Sequence, residues 1–212
     1  MKIPKFLIER YQFWKKNTFE EYKDVYVNAS KNPQKPIAII ITCCDSRILE
    51  NTIFEGNIGD YFIHRNIANI IPSKNKRDEN IQTLSAIEYG LKVLKIPNLI
   101  ILGHSNCGGV EYSYKRLIEN KNTTNFEYID KWVSCLNDVY DNIPKELSKD
   151  EKLIFLEQES IKQSIKNLQE YEFIDKLINE NKLNIIGLWY EINSGLIKFL
   201  DKKNRFIDLD QL

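Results

Sequence analysis

Apolar and polar positions along the chain change period several times, and each change marks an element. The run Ile37 to Thr42 is apolar and mostly β-branched, with no charge inside it. It predicts a strand buried on both faces, as in a parallel sheet covered by helices. Shorter runs, Tyr61 to His64 and Asn98 to Leu102, predict a second and a third strand, and Leu183 to Tyr190 a fourth. The turn Asn193-Ser194-Gly195 then folds the chain back into Leu196 to Leu200, an antiparallel fifth strand at the sheet edge.

Elsewhere the period is helical. Ile81, Leu84, Ile87, Leu91 and Leu94 recur at intervals of three and four and predict an amphipathic helix over 80–95. Helical patterns also cover Gly109 to about Ile118, 127–140 and 150–182, with a polar loop from Glu119 to Asn125. Ile48 to Phe54 reads as a short helical stretch, and Pro72 to Glu79 as a charged, solvated loop carrying Lys74, Lys76 and Arg77. Near the N-terminus, large side chains such as Phe6, Tyr11, Trp14, Phe19 and Tyr26 predict one or two helices with a break near Asn17-Thr18. Such an aromatic arm packs either on its own sheet or on another subunit. Together these elements predict an α/β fold, a four-stranded mostly parallel sheet with an added antiparallel edge strand, flanked by helices. A single domain over 1–212 is expected, with a helical arm at 1–35 and the catalytic α/β core at 36–200.

Charge narrows the partners. The 30 lysines and arginines equal the 30 aspartates and glutamates, so no net field draws nucleic acid or an anionic membrane. No segment approaches the ~20 apolar residues of a membrane span. The early apolar stretch Phe6-Leu7-Ile8 is cut at once by Glu9 and Arg10, which leaves no room for a signal peptide. A soluble, cytoplasmic protein with a small-molecule partner is expected. The four cysteines fit reduced thiols better than a disulfide framework.

Candidate chemistry sits at two strand ends. Thr42-Cys43-Cys44-Asp45-Ser46-Arg47 follows the first strand, and His104-Ser105-Asn106-Cys107-Gly108-Gly109 follows the third. Both emerge at the carboxyl edge of the sheet, where open α/β folds place ligands. His104 and Cys107 can reach one metal ion from a single turn, and Cys43 can add a third ligand from the neighbouring strand end. A Cys-His-Cys set leaves one tetrahedral position open, as a catalytic zinc site requires. Asp45 is placed to orient a bound water or to close the site as a fourth ligand, and Arg47 to hold Asp45 away from the metal by a bidentate pair. Cys44 reads as a packed or partly buried thiol, Cys135 as core, and His64 as a packed or surface histidine.

In this order, Cys43-x-Asp45-Ser46-Arg47 and His104-x-x-Cys107-Gly108-Gly109 resemble the signature of the β-class carbonic anhydrases. The likeness extends to Gly59-Asp60-x-Phe62-x-x-Arg65-Asn66-x-Ala68-Asn69, Ala86-Ile87-Glu88-Tyr89 and Gly187-x-x-Tyr190-x-x-x-Ser194-Gly195, and covers about residues 37 to 200. The resemblance implies one zinc ion per chain on Cys43, His104 and Cys107, a catalytic dyad of Asp45 and Arg47, and Asn57 and Gly108 as candidate substrate contacts. Asn57 stands where plant-type members carry a glutamine. It also implies reversible hydration of carbon dioxide to bicarbonate and a proton by attack of zinc-bound hydroxide. Members of the family assemble as dimers or larger oligomers, and in some of them the dyad aspartate ligates zinc in a closed, inactive state. Ile40 replaces a tryptophan that, with an arginine and a tyrosine matching Arg65 and Tyr190, holds regulatory bicarbonate in certain bacterial members. That effector site is therefore expected to be absent or weakened. Two other readings share these residues: a hydrolase of carbonyl sulfide or carbon disulfide, and a non-catalytic zinc protein permanently closed by Asp45.

Overall fold

The structure, a computed structural model, describes residues 2–79, 81–119 and 126–211. An N-terminal arm of three helices comes first: α1 (Lys5–Lys16), α2 (Thr18–Glu21) and α3 (Lys23–Lys31). The expected break falls at Asn17, and a second one falls at Tyr22. None of these helices has a fully buried residue. Their cohesion is internal and aromatic, with Trp14 set edge-on to Tyr26 and close to Phe19.

Strand β1 (Ala38–Cys43) is buried at all six positions, as its unbroken apolar run requires. A single turn, α4 (Glu50–Ile53), leads to β2 (Tyr61–Asn66), which lies at the sheet edge and is half-buried throughout. The helix expected over 80–95 forms as α5 (Ile81–Glu88), widening into a π-helical turn at Tyr89–Val93 before β3 (Asn98–His104). Then follow α6 (Gly108–Leu117), α7 (Glu127–Val133) and α8 (Asn137–Tyr140), the last two joined by a 3-10 turn at Ser134–Leu136. The helical pattern over 150–182 proves to be two helices, α9 (Lys149–Gln169) and α10 (Glu172–Asn179), separated where Tyr171 turns extended. Its apolar stripe continues across the turn, which is why periodicity alone reads through it. α9 begins with a capping box between Ser148 and Glu151. The chain ends with β4 (Asn184–Tyr190), β5 (Ile197–Leu200) and β6 (Phe206–Asp208).

The strands form one sheet in the order β2-β1-β3-β4-β5-β6, with the first four parallel and the last two antiparallel. The fold class is as expected, with β6 as a further edge strand. Three residues are too short a run to declare a strand by pattern. The segment Lys74–Glu79 is a 3-10 turn rather than an open loop. Lys74 there pairs with Glu172, and Lys76 donates to Ser134; the Arg77 side chain lies outside the described residues, as do positions 120–125 of the polar loop.

Alternation along β1 and β3 divides the core. Ile39, Ile41, Leu99 and Ile101 face α9 with Ile161, Leu168 and Trp189, whereas Ile40, Leu102 and Leu188 pack on the opposite face with Ile48. α9 lies so close to β3 that a Cβ on Gly103 would stand 2.7 Å from Ile161 Cδ1. Ile101, with no exposed surface at the centre of this layer, should be the sensitive test of the packing. Ile101→Ala is expected to lower stability by about 2–5 kcal/mol in a urea titration; a cost below about 1 kcal/mol would mean that the layer collapses to refill the space.

Candidate metal centre

Two loops at the carboxyl ends of β1 and β3 build the site. Cys43 is the last residue of β1, paired with Asn66 of β2, and His104 is the last residue of β3, paired with Tyr190 of β4. Cys43 shares its face with Ile39 and Ile41, so its side chain turns toward the α9 side, while Cys44 points away into a cleft of about 870 Å³ lined also by His64, Tyr128 and Trp132. Cys44 is exposed rather than packed. His64 is half-buried with its Nε2 3.1 Å from Thr83 Oγ1, and burial lowers its pKa.

Arg65 of β2 shapes the first loop. Its Nε donates to the Cys43 carbonyl at 2.9 Å, and its Nη2 to the carbonyls of Asp45 at 2.7 Å and Ile48 at 2.9 Å. The second loop turns through Asn106, whose φ of 56° is left-handed, and ends at Cys107, directly before α6. Ser105 anchors it by donating its backbone N–H to the Tyr190 carbonyl and accepting at Oγ from Ile192 N. Glu157 of α9 supports the same loop from the interior, its Oε1 accepting the Cys107 N–H at 3.0 Å. Burial pushes the Glu157 carboxyl up to about 7, against the hydrogen bonds it receives.

The donor atoms of Cys43, His104 and Cys107 converge within 4.8 Å of one another, and all three residues are buried. Nδ1 of His104 must donate to the Ser105 carbonyl at 2.9 Å, which leaves Nε2 as a bare acceptor. That Nε2 is buried without a hydrogen-bond partner. The two sulfurs are 3.9 Å apart, within reach of a thiol hydrogen bond. The Cys43 sulfur beside it and burial push the Cys107 thiol up, while the bond from Cys107 holds Cys43 down. The Ala68 N–H donates to the Cys43 sulfur at 3.3 Å, from a turn in which Ala68 and Asn69 both have positive φ and Asn66 bonds across to Ile70. Gly109 lets α6 approach this turn, since a Cβ there would come 2.6 Å from Ile67 Cγ2.

Asp45 stands at the rim of the cluster, its Oδ2 4.0 Å from His104 Nε2. Arg47 grips it with Nε to Oδ1 at 2.9 Å and Nη2 to Oδ2 at 2.7 Å, and the Arg47 backbone N–H adds a third bond. These bonds hold the Asp45 carboxyl well below the usual carboxylate range. Arg47 Nη2 also donates to the Asn106 carbonyl, tying the two loops together.

The family model for carbonic anhydrase matches residues 38–197, a span that includes the whole cluster. The chain belongs to the β-class carbonic anhydrases. A carbonic anhydrase of Helicobacter pylori (strain J99) is 31% identical over 92% of this chain and 89% of its own length. Beta carbonic anhydrase 3 of Arabidopsis thaliana is 31% identical over 86% of this chain and 70% of its own. Among solved structures, the β-carbonic anhydrase CcaA superposes with a TM-score of 0.87 at 29% identity, covering 95% of this chain and 90% of that one. A tetrameric β-carbonic anhydrase of the ascomycete Sordaria macrospora gives 0.79 at 28% identity, over 92% and 95% of the two chains. Membership implies hydration of carbon dioxide, with carbon dioxide and bicarbonate as substrate and product.

In this carbonic anhydrase the structure brings Cys43, His104, Cys107, Asp45 and Arg47 together. Asn57 is turned into its own loop, where its backbone N–H and its Nδ2 both donate to Asp60 Oδ2. Gly108 opens α6 with nothing within 4 Å of where a side chain would begin. Arg65 and Tyr190 lie on β2 and β4 with two strands between them, and Nε and Nη2 of Arg65 are engaged by the three carbonyls. Sequence reasoning did not find the tether made by Arg65 or the support from Glu157. The signal for Glu157 was available, since it stands four residues before Ile161 on the buried stripe of α9. Arg65→Ala is expected to cost about 2–4 kcal/mol in denaturant unfolding, because three carbonyls lose a charged donor; a change under about 0.5 kcal/mol would mean that the loop holds itself.

Proposed function

We propose that Cys43, His104 and Cys107 hold one zinc ion, and that Asp45, pinned by Arg47, orients the water that attacks carbon dioxide. The observation that carries this reading is the buried, unpartnered Nε2 of His104 beside two thiols. The donor set fits the ion. Tetrahedral zinc with sulfur at about 2.3 Å separates two thiolates by about 3.8 Å, against 3.9 Å between the Cys43 and Cys107 sulfurs. Soft thiolates favour zinc over magnesium or manganese, and three protein donors leave a fourth position open for chemistry. When bound, zinc supplies Lewis-acid activation of a water, at higher pH than in a three-histidine site because two thiolates cancel its charge.

The chain supplies orientation. Asp45 stays ionised and accepts a hydrogen bond from the attacking water, fixing its lone pair toward the substrate carbon. Arg47 occupies both Asp45 oxygens, so the carboxylate remains outside the donor set although it lies near His104. Release of Arg47 would let Asp45 become a fourth ligand and close the site. Engagement of Arg65 by the first loop, with Ile40 in place of a tryptophan, supports the absence of a bicarbonate effector site. Exposed Phe6, Leu7, Tyr11 and Phe13 on the arm support assembly as a dimer or larger oligomer in which the arm packs on a second copy. Thiolate ligands suit a reducing compartment such as the cytoplasm.

Stopped-flow hydration of carbon dioxide on zinc-quantified protein tests the reading. Activity is expected to climb between pH ~7 and ~9. Asp45 does not cause the rise: its pKa is depressed, so it loses its charge only as the pH falls below the ordinary carboxylate range. Bicarbonate should act as a simple product inhibitor, and a second, cooperative phase would restore the effector site. One zinc per chain with no hydration at either pH would overturn the proposal in favour of a sulfur-substrate hydrolase or a closed protein. Cys107→Ala is expected to lose zinc and activity together, whereas Asp45→Asn keeps zinc and turns over at least ~100-fold more slowly. Full zinc occupancy in Cys107→Ala would remove Cys107 from the ligand set.

A further inference from the structure

α9 carries Glu157 into the interior, where it is 3% exposed. A carboxylate there is costly unless donors surround it. Its partners are N–H groups: Oε1 accepts from Cys107 N at 3.0 Å and Oε2 accepts from Trp189 Nε1 at 3.2 Å. Asn106 is left-handed, so the loop turns sharply just before the Cys107 N–H that Glu157 accepts.

We propose that Glu157 is a positioning residue of the metal centre, fixing the peptide between Asn106 and Cys107 so that the Cys107 sulfur faces Cys43 and His104. This rests on Cys107 being a metal ligand. Both side-chain oxygens must accept at once, because Cys107 and Trp189 can only donate. Glutamine satisfies one of them and turns its amide hydrogens against the other. Removal of the Trp189 donor lifts that conflict, so the glutamine oxygen can return to the Cys107 N–H.

The test loads wild type, Glu157→Gln, Trp189→Phe and the double variant with Co²⁺, competes the ion with a chelator and records the thiolate-to-cobalt absorption. Glu157→Gln is expected to bind about 10- to 100-fold more weakly, with an altered thiolate band. Trp189→Phe should keep the wild-type band, and the double variant should regain most of the affinity lost in Glu157→Gln. Wild-type affinity in Glu157→Gln, or no recovery in the double variant, would overturn the proposal. Should Glu157→Gln fail to accumulate, Glu157→Leu and Glu157→Gln are compared in the Trp189→Phe background. The leucine variant should then bind more weakly by the same factor, and equal affinities would overturn the assignment. Failure of the wild type to bind Co²⁺ would sink the metal-centre reading itself, a separate outcome.

Discussion

The register of β1 against β3 sets the convergence of Cys43, His104 and Cys107. Parallel strands have no hairpin to fix their alignment, so the register rests on side-chain packing and the crossover between them. Ile39 opposite Leu99 and Ile41 opposite Ile101 define it, and Thr42 Oγ1 donates to the Leu102 carbonyl at 3.0 Å. A slip of one residue would turn Cys43 to the other face of the sheet and separate it from His104 and Cys107. The chemistry of this enzyme is thus specified by branched aliphatic side chains that never meet its substrate.

From those strand ends the loops are held by groups that neutralise what they bury. Arg65 spends its donors on backbone carbonyls of one loop, and Arg47 bridges the Asp45 carboxylate to the other. A backbone N–H faces the Cys43 sulfur from Ala68. Metal-binding thiolates in a low-dielectric interior need such donors, because an isolated buried anion takes up a proton instead.

Much of this was legible in the chain. The four parallel strands, the hairpin into β5, the helix after Gly109 and the convergence of Cys43, His104 and Cys107 all follow from local runs and strand-end position. The pairing of Asp45 with Arg47 followed from spacing along an extended segment. What stayed hidden depends on contacts distant in sequence. Arg65 reaches back across the β1–β2 pair, Glu157 lies 50 residues beyond the Cys107 it supports, and β6 forms only because β5 offers it an edge. The break between α9 and α10 was missed for the opposite reason, since the apolar stripe persists while the backbone turns.

The arm has a thermodynamic consequence of its own. Helices α1 to α3 bury no residue within their own chain, and Phe13 is 70% exposed. Isolated helices of this length are marginal in water. Their order therefore rests on the contacts of Trp14, Phe19 and Tyr26 within the arm rather than on the core beneath the sheet. The arm can therefore open without disturbing the sheet, so the two parts of one polypeptide differ in stability: one is anchored in the core, the other only in its own ring contacts.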